Sequence, residues 1–97
     1  TEVEEVAYTV RGVAGAVALG VPHATLGQAI ALVIAHGDGE CDAQALREDT
    51  LIACRRELPN FMVPAAIEKR EHLPRNPNGK IDRKLLSSEY QDIFNQI

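Results

Sequence analysis

No apolar run among these 97 residues approaches the roughly 20 needed to cross a bilayer, and the opening residues do not read as a secretory signal. A membrane-spanning helix is therefore not expected. Cysteine is scarce. Cys41 and Cys54 fit no metal-ligand spacing and cannot make a disulfide framework. Cys54 reads as a packing residue, and a reducing cytoplasm is the expected setting. His23, His36 and His72 are equally isolated, with no partner spacing between them. Tryptophan is missing and aromatics number four, yet 45% apolar and 25% charged residues describe a soluble globular domain. The length holds one modest core, so residues 1–97 are read as a single domain.

Positive charge is also in deficit. Ten Lys and Arg stand against fourteen Asp and Glu, a net −4 that argues against a nucleic-acid binder. The balance is uneven along the chain. Between Lys69 and Lys84 six basic residues face two acidic ones, a local +4, while the remainder carries −8. That window suits an anionic partner; a solvated basic face is the plainer alternative.

Thr1-Glu2-Val3-Glu4 reads as a capping box, followed at helical spacing by Val3, Val6, Ala7 and Val10, with Gly12 as the stop. From Ala14 to Val21 small residues (Ala16, Ala18, Gly20) alternate with large ones (Val17, Leu19, Val21), the pattern of a strand with one close-packed face. Pro22 to Gly27 read as a turn. The run Ala29–Ala35 is apolar on both faces, which places a strand over 28–35 in the middle of the sheet. Asp42 caps a helix to about Glu57, with Leu46, Thr50, Ala53 and Cys54 inward and Arg47, Glu48, Arg55 and Arg56 outward. Pro59 ends it; Phe61 and Met62 are expected in the core, in a turn shaped by Pro59 and Pro64. A short third strand fits Ala65–Glu71, and a turn-rich loop fits Pro74–Gly79. A last helix starts at Asp82, stapled by Ile81 and Leu86, with Leu85, Leu86, Tyr90, Ile93, Phe94 and Ile97 on its buried side. The order α-β-β-α-β-α gives an α+β domain: a three-stranded mixed sheet flanked by three helices. The first two strands form a hairpin, and a helical crossover brings the third parallel to the second.

Chemistry concentrates in Asn76-Pro77-Asn78-Gly79-Lys80-Ile81-Asp82-Arg83-Lys84. Pro77 and Gly79 fix a tight turn in which Asn78 and Gly79 both tolerate positive φ. Lys80 follows at the loop tip, just before a helix N-terminus. Its ammonium suits a phosphate or carboxylate; an ordinary solvated turn lysine is the alternative.

The segment Leu73-Pro74-Arg75-Asn76-Pro77-Asn78-Gly79-Lys80-Ile81-Asp82-Arg83-Lys84-Leu85 resembles the terminal signature of the AMP-forming adenylating superfamily. Acyl-CoA synthetases, luciferases and the adenylation domains of nonribosomal peptide synthetases belong to it. Leu58-Pro59-Asn60-Phe61-Met62-Val63-Pro64 is similar to its preceding signature, at the expected distance. The opening Thr1-Glu2-Val3-Glu4-Glu5-Val6 is similar to the segment after the interdomain hinge. Gly20-Val21-Pro22 and Leu26-Gly27-Gln28-Ala29 also match, so the resemblance runs along essentially the whole chain.

The resemblance implies the C-terminal lid of a two-step ligase, most like an acyl-CoA synthetase. A carboxylate attacks the α-phosphate of ATP, and the thiol of coenzyme A, or of a carrier protein's phosphopantetheine, then takes the acyl group. The family's catalytic lysine falls on Lys80. Asn78 and Gly79 set its geometry and offer backbone contacts to ligand. Arg83 and Lys84, with Arg75, are candidates for the phosphates of ATP or coenzyme A or for docking on the large domain, with solvated surface as the alternative. The large N-terminal domain, the hinge and the phosphate loop have no counterpart in these residues, nor does the Mg2+ site that accompanies ATP. An excised domain, inactive alone, is the expectation. The rival readings are the C-terminal part of an amino-acid adenylation domain, a free-standing binding or regulatory module, and a bare structural domain.

Overall fold

The computed structural model of the chain describes residues 2–23, 27–37, 42–91 and 93. Helix α1 (Glu2–Tyr8) leads into strand β1 (Gly15–His23), which pairs with β2 (Gly27–Ala35). Helix α2 (Ala43–Glu57) and a 3-10 turn (Asn60–Met62) carry the chain to β3 (Ala66–Arg70), and α3 (Arg83–Tyr90) completes the order. The α-β-β-α-β-α expectation holds. The sheet runs β1-β2-β3, with β1 antiparallel to β2 from Gly15 opposite Ala35 to His23 opposite Gly27. Strand β3 lies parallel to β2, from Ala31 opposite Ala66 to Ala35 opposite Arg70.

The period-two alternation decides which helix packs where. Ala16, Leu32, Ile34 and Ile67 point to one face, where they meet Val3 and Ala7 of α1 and Leu46 and Cys54 of α2. Val17, Leu19, Val21, Ala31 and Val33 point to the other, sealed by Leu86 of α3. Strand β2 is buried on both sides, as its continuous apolar run requires. Asp42 caps α2, accepting from the Gln44 and Ala45 amides at 3.1 Å each, an interaction worth about 1 kcal/mol. The cap expected at Thr1, the side chains of Phe94 and Ile97, and Cys41 lie outside the described residues.

Four expectations are corrected. Phe61 is not core: it is 83% exposed, while Met62 and Val63 pack against the core. A 3-10 turn rotates successive side chains by about 120°, so three consecutive residues cannot all face inward, and Phe61 takes the outward position. Leu85 is 44% exposed because the one-residue step to Leu86, roughly 100° round the helix, spends the inward position on Leu86. Arg47 does not simply face water; its Nε donates to the Ile67 carbonyl at 2.9 Å, tying α2 to β3. Pro22 is not in the turn but in β1, opposite Gln28. Strand β1 is an edge, and Pro22 shares its parity with Ala16 and Ala18, whose amides face away from β2. The missing N–H of Pro22 therefore breaks no ladder bond.

The outer edge of β1 is covered by side chains. The Ala16 amide donates to the Tyr8 hydroxyl at 3.1 Å, and the Ala18 amide to Glu4 Oε2 at 2.7 Å. Arg83 donates to the Ala18 carbonyl at 3.3 Å and to Glu4 Oε2 at 2.9 Å. Helices α1 and α3 thus supply the polar partners a neighbouring strand would have given.

Candidate functional site

The loop between β3 and α3 folds into a small hairpin closed by an antiparallel bridge between Arg75 and Ile81. The Asn76 amide donates to the Lys80 carbonyl at 2.8 Å, and the Gly79 amide to the Asn76 carbonyl at 2.9 Å. Asn76 Oδ1 accepts from the amides of Asn78 at 3.0 Å and Lys80 at 3.2 Å. The Arg75 guanidinium donates to the Gly79 carbonyl at 3.0 Å. This is a Pro-Asn corner followed by a glycine at φ +82°, the arrangement of a three-residue hairpin loop. Of the two residues expected to tolerate positive φ, Gly79 alone adopts it among the described residues. A Cβ at Gly79 would meet nothing within 4 Å, so the demand for glycine is conformational rather than steric.

Two anchors hold the hairpin to the body of the domain. The Asp82 amide donates to the Pro74 carbonyl at 2.8 Å, and the Asp82 carboxylate caps α3 by accepting from the Leu85 amide at 3.0 Å. Ile81 packs, half-buried, against the core cluster to which Leu86 belongs. Lys80 therefore leaves a stiff bend, and its side chain is exposed. Among the described residues no ion pair engages its ammonium.

The other basic residues of the window are differently placed. Lys69 donates to Gln44 at 3.2 Å, and Arg70 pairs with Glu89 and Tyr90. Arg83 is held by Glu4 and the Ala18 carbonyl. Lys84 is exposed on the first turn of α3. The charge excess of residues 69–84 is thus mostly spent on internal contacts, and the lysines at 80 and 84 remain turned to solvent. Asn78 and Gly79 sit beside Lys80 in the hairpin, whereas Arg83 is drawn away to the β1 edge.

Glu4 anchors that edge. Burial alone would raise the pKa of its carboxyl group. The Ala18 amide and the Arg83 guanidinium outweigh it, and the net value lies below that of an ordinary carboxylate. The residue that motif reading passed over is Asn76. Its signal was present, since an Asn whose side chain can bond the backbone two residues on marks an Asx turn.

Two clefts of the domain do not border Lys80. One of about 580 Å³ lies between α1 and the end of α2, lined by Glu2, Glu5, Val6, Thr9, Arg56 and Leu58 among others. Another, of about 340 Å³, involves Gly15, Gly37, Glu71, His72, Leu73 and Arg75. No group of three or more His, Cys, Asp or Glu side chains among the described residues is placed to hold a metal ion. No described helix is long and apolar enough to cross a membrane.

The family described as the AMP-binding enzyme C-terminal domain matches residues 2–80. The long-chain-fatty-acid–CoA ligase of Salmonella typhimurium is 39% identical over 89 residues, covering 91% of this chain and 15% of the ligase. The nonribosomal peptide synthetase sidC of Arthroderma benhamiae is 48% identical over 48 residues, half of this chain and 1% of the synthetase. Among solved structures, apo MatB from Rhodopseudomonas palustris aligns with a TM-score of 0.84 at 28% identity, over 96% of this chain and 18% of that one. The chain spans only a small part of each protein it matches. With residues 2–80 matched and the order of elements in place, the chain belongs to the AMP-binding enzyme C-terminal domain family.

Proposed function

We propose that this chain is the small domain of an ATP-dependent, AMP-forming acyl-CoA synthetase, and that Lys80 serves its adenylation half-reaction. The observation that carries the reading is the Lys80 ammonium, exposed and unpaired among the described residues on a hydrogen-bonded hairpin. The large N-terminal domain is assigned to the rest of a parent chain, since the Salmonella ligase is matched over only 15% of its length.

In the first half-reaction a carboxylate oxygen attacks the α-phosphorus of ATP. An acyl–phosphate bond forms and pyrophosphate leaves. Two anions must approach each other, and an ammonium aimed between them offsets their repulsion. In a water-excluded site such aimed charge contributes about 3 kcal/mol, or some hundredfold in rate. The small domain supplies the charge, and the large domain supplies the walls that exclude water. In the second half-reaction the thiol of coenzyme A attacks the acyl carbonyl and AMP leaves. A rigid small domain that rotates between the two steps would withdraw Lys80 and present another face.

Asn78 and Gly79 serve as the geometry of the lysine, with backbone groups near the nucleotide. Lys84, exposed beside the hairpin, is the best placed of the three remaining basic candidates for a phosphate of ATP or coenzyme A, Arg75 being held by the Gly79 carbonyl. Arg83, held by Glu4, contributes first to the fold. The Mg2+ that accompanies ATP is assigned to the large domain. A cytoplasmic setting fits the free thiol of buried Cys54.

A second reading takes a carrier protein's phosphopantetheine as the thiol. The 48% identity to a nonribosomal peptide synthetase over half the chain favours it. Supplying the adenylated parent with coenzyme A or with a carrier protein bearing phosphopantetheine with a free thiol separates the two. For Lys80 itself, ATP–pyrophosphate exchange by the full-length parent should fall at least about a hundredfold in Lys80→Ala, with unfolding temperature unchanged. Exchange at the unmodified rate would remove the proposal.

A further inference from the structure

We propose that Asn76 is the positioning residue for Lys80. The inference rests on the adenylation role given to Lys80 above. Both backbone polar groups of Lys80 end on this one residue: its amide on Asn76 Oδ1 at 3.2 Å, its carbonyl on the Asn76 amide at 2.8 Å. The same Oδ1 takes the Asn78 amide at 3.0 Å. The side chain of Asn76 therefore sets where the Lys80 Cα sits and which way its Cβ leaves the backbone. Asn76 is half-buried, between a proline that fixes φ and an arginine bridged to Ile81, so it is itself held. A lysine side chain has four flexible carbons, and this hairpin orients it through its root. When an approach of reacting groups depends on one charge, a displacement of about 1 Å at that root costs on the order of a hundredfold in rate. Asn76 touches no reacting atom; it acts through Lys80.

This separates Asn76 from a residue that merely holds the fold. In the full-length parent, Asn76→Ala should lower the rate of acyl-adenylate formation about 10- to 100-fold, with KM for ATP and acid little changed. Acyl transfer from supplied acyl-adenylate to thiol should proceed as before. Asn76→Thr, whose hydroxyl can accept the same amide bonds more weakly, should recover most of the loss. Added to Lys80→Ala, Asn76→Ala should cost less than about twofold further, because the group it aims is gone.

Three results would overturn the inference. Adenylation by Asn76→Ala at the unmodified rate, in a parent that Lys80→Ala disables, refutes positioning and leaves the role of Lys80 standing. An equal loss from Asn76→Ala with and without the lysine shows an independent action. A fall of both half-reactions together, with a lowered unfolding temperature and no recovery in Asn76→Thr, shows a structural role. A parent in which Lys80→Ala is silent removes the adenylation role itself, a distinguishable failure.

Discussion

Lysine reaches far but aims poorly, since each of its side-chain bonds rotates freely and fixing them all costs about 2 kcal/mol of rotamer entropy. The hairpin at residues 75–81 limits what must be fixed. Pro77 removes one backbone rotation, Gly79 takes φ +82°, and Asn76 gathers two amides. Gly79 is the position where a single methyl group tests this most cleanly. A Cβ there would touch nothing within 4 Å, so Gly79→Ala introduces strain without a clash. A left-handed conformation costs an alanine about 1 kcal/mol relative to glycine. The 97-residue domain should therefore lose roughly 4–8 °C in unfolding temperature. Adenylation by the parent should fall further than that loss explains, as the backbone at Lys80 shifts to relieve the strain. Thermal unfolding and pyrophosphate exchange on the same variant measure the two effects.

Edges and faces govern the elements. The outer edge of β1 is closed by Tyr8, Glu4 and Arg83 rather than by another strand. Glu4 therefore joins three elements: α1, which carries it, β1, whose Ala18 amide it accepts, and α3, whose Arg83 it pairs. Its depressed pKa makes the contribution pH-dependent. A carboxylate with a folded-state pKa below its unfolded value, about 4.3, stabilises the fold above that pH. The contribution is lost as pH falls through the folded-state value. Glu4→Gln should cost about 1 kcal/mol at neutral pH, because Arg83 is half-exposed and solvent screens the pair. The gap in unfolding temperature between wild type and Glu4→Gln should close progressively below about pH 4. A gap that stays constant down to pH 2 would show that the charge plays no part.

The same element-level contacts explain what could be read beforehand. The double-faced apolar run of β2 and the inward row Leu46, Thr50, Ala53 and Cys54 follow from periodicity alone, and all four helix residues are buried. The tight turn before Lys80 was equally legible, because turn chemistry acts over a few residues; its closure by the Arg75–Ile81 bridge and by Asn76 was not. Glu4, Arg47 and Phe61 were not. Glu4 and Arg47 are placed by partners 14 to 79 residues away. Phe61 is turned outward by a 3-10 turn that helical or strand periodicity does not foresee. The grouping of Arg83 with Lys80 and Lys84 as one basic site failed to anticipate the Glu4 pair for the same reason.

At the scale of the whole molecule, helices α1 and α2 cover one face of a three-stranded sheet and α3 covers the other. A Cα radius of gyration of 13.0 Å is that of a folded domain near 100 residues. Lys80 stands on an exposed loop and lines neither the cleft of about 580 Å³ nor that of about 340 Å³, so neither brings a substrate to its ammonium. The 97 residues alone should therefore give no ATP–pyrophosphate exchange above background with any carboxylic acid. Exchange by the isolated domain would show that it builds a complete site.

The central claim is that one charge, on Lys80, serves acid activation and not thiol transfer. Its most direct measurement supplies the full-length Lys80→Ala parent with preformed acyl-adenylate and thiol, beside the same enzyme given ATP and free acid. The account predicts thioester formation near the unmodified rate in the first case, and a loss of at least about a hundredfold in the second. Equal losses in both, or none in either, would contradict it.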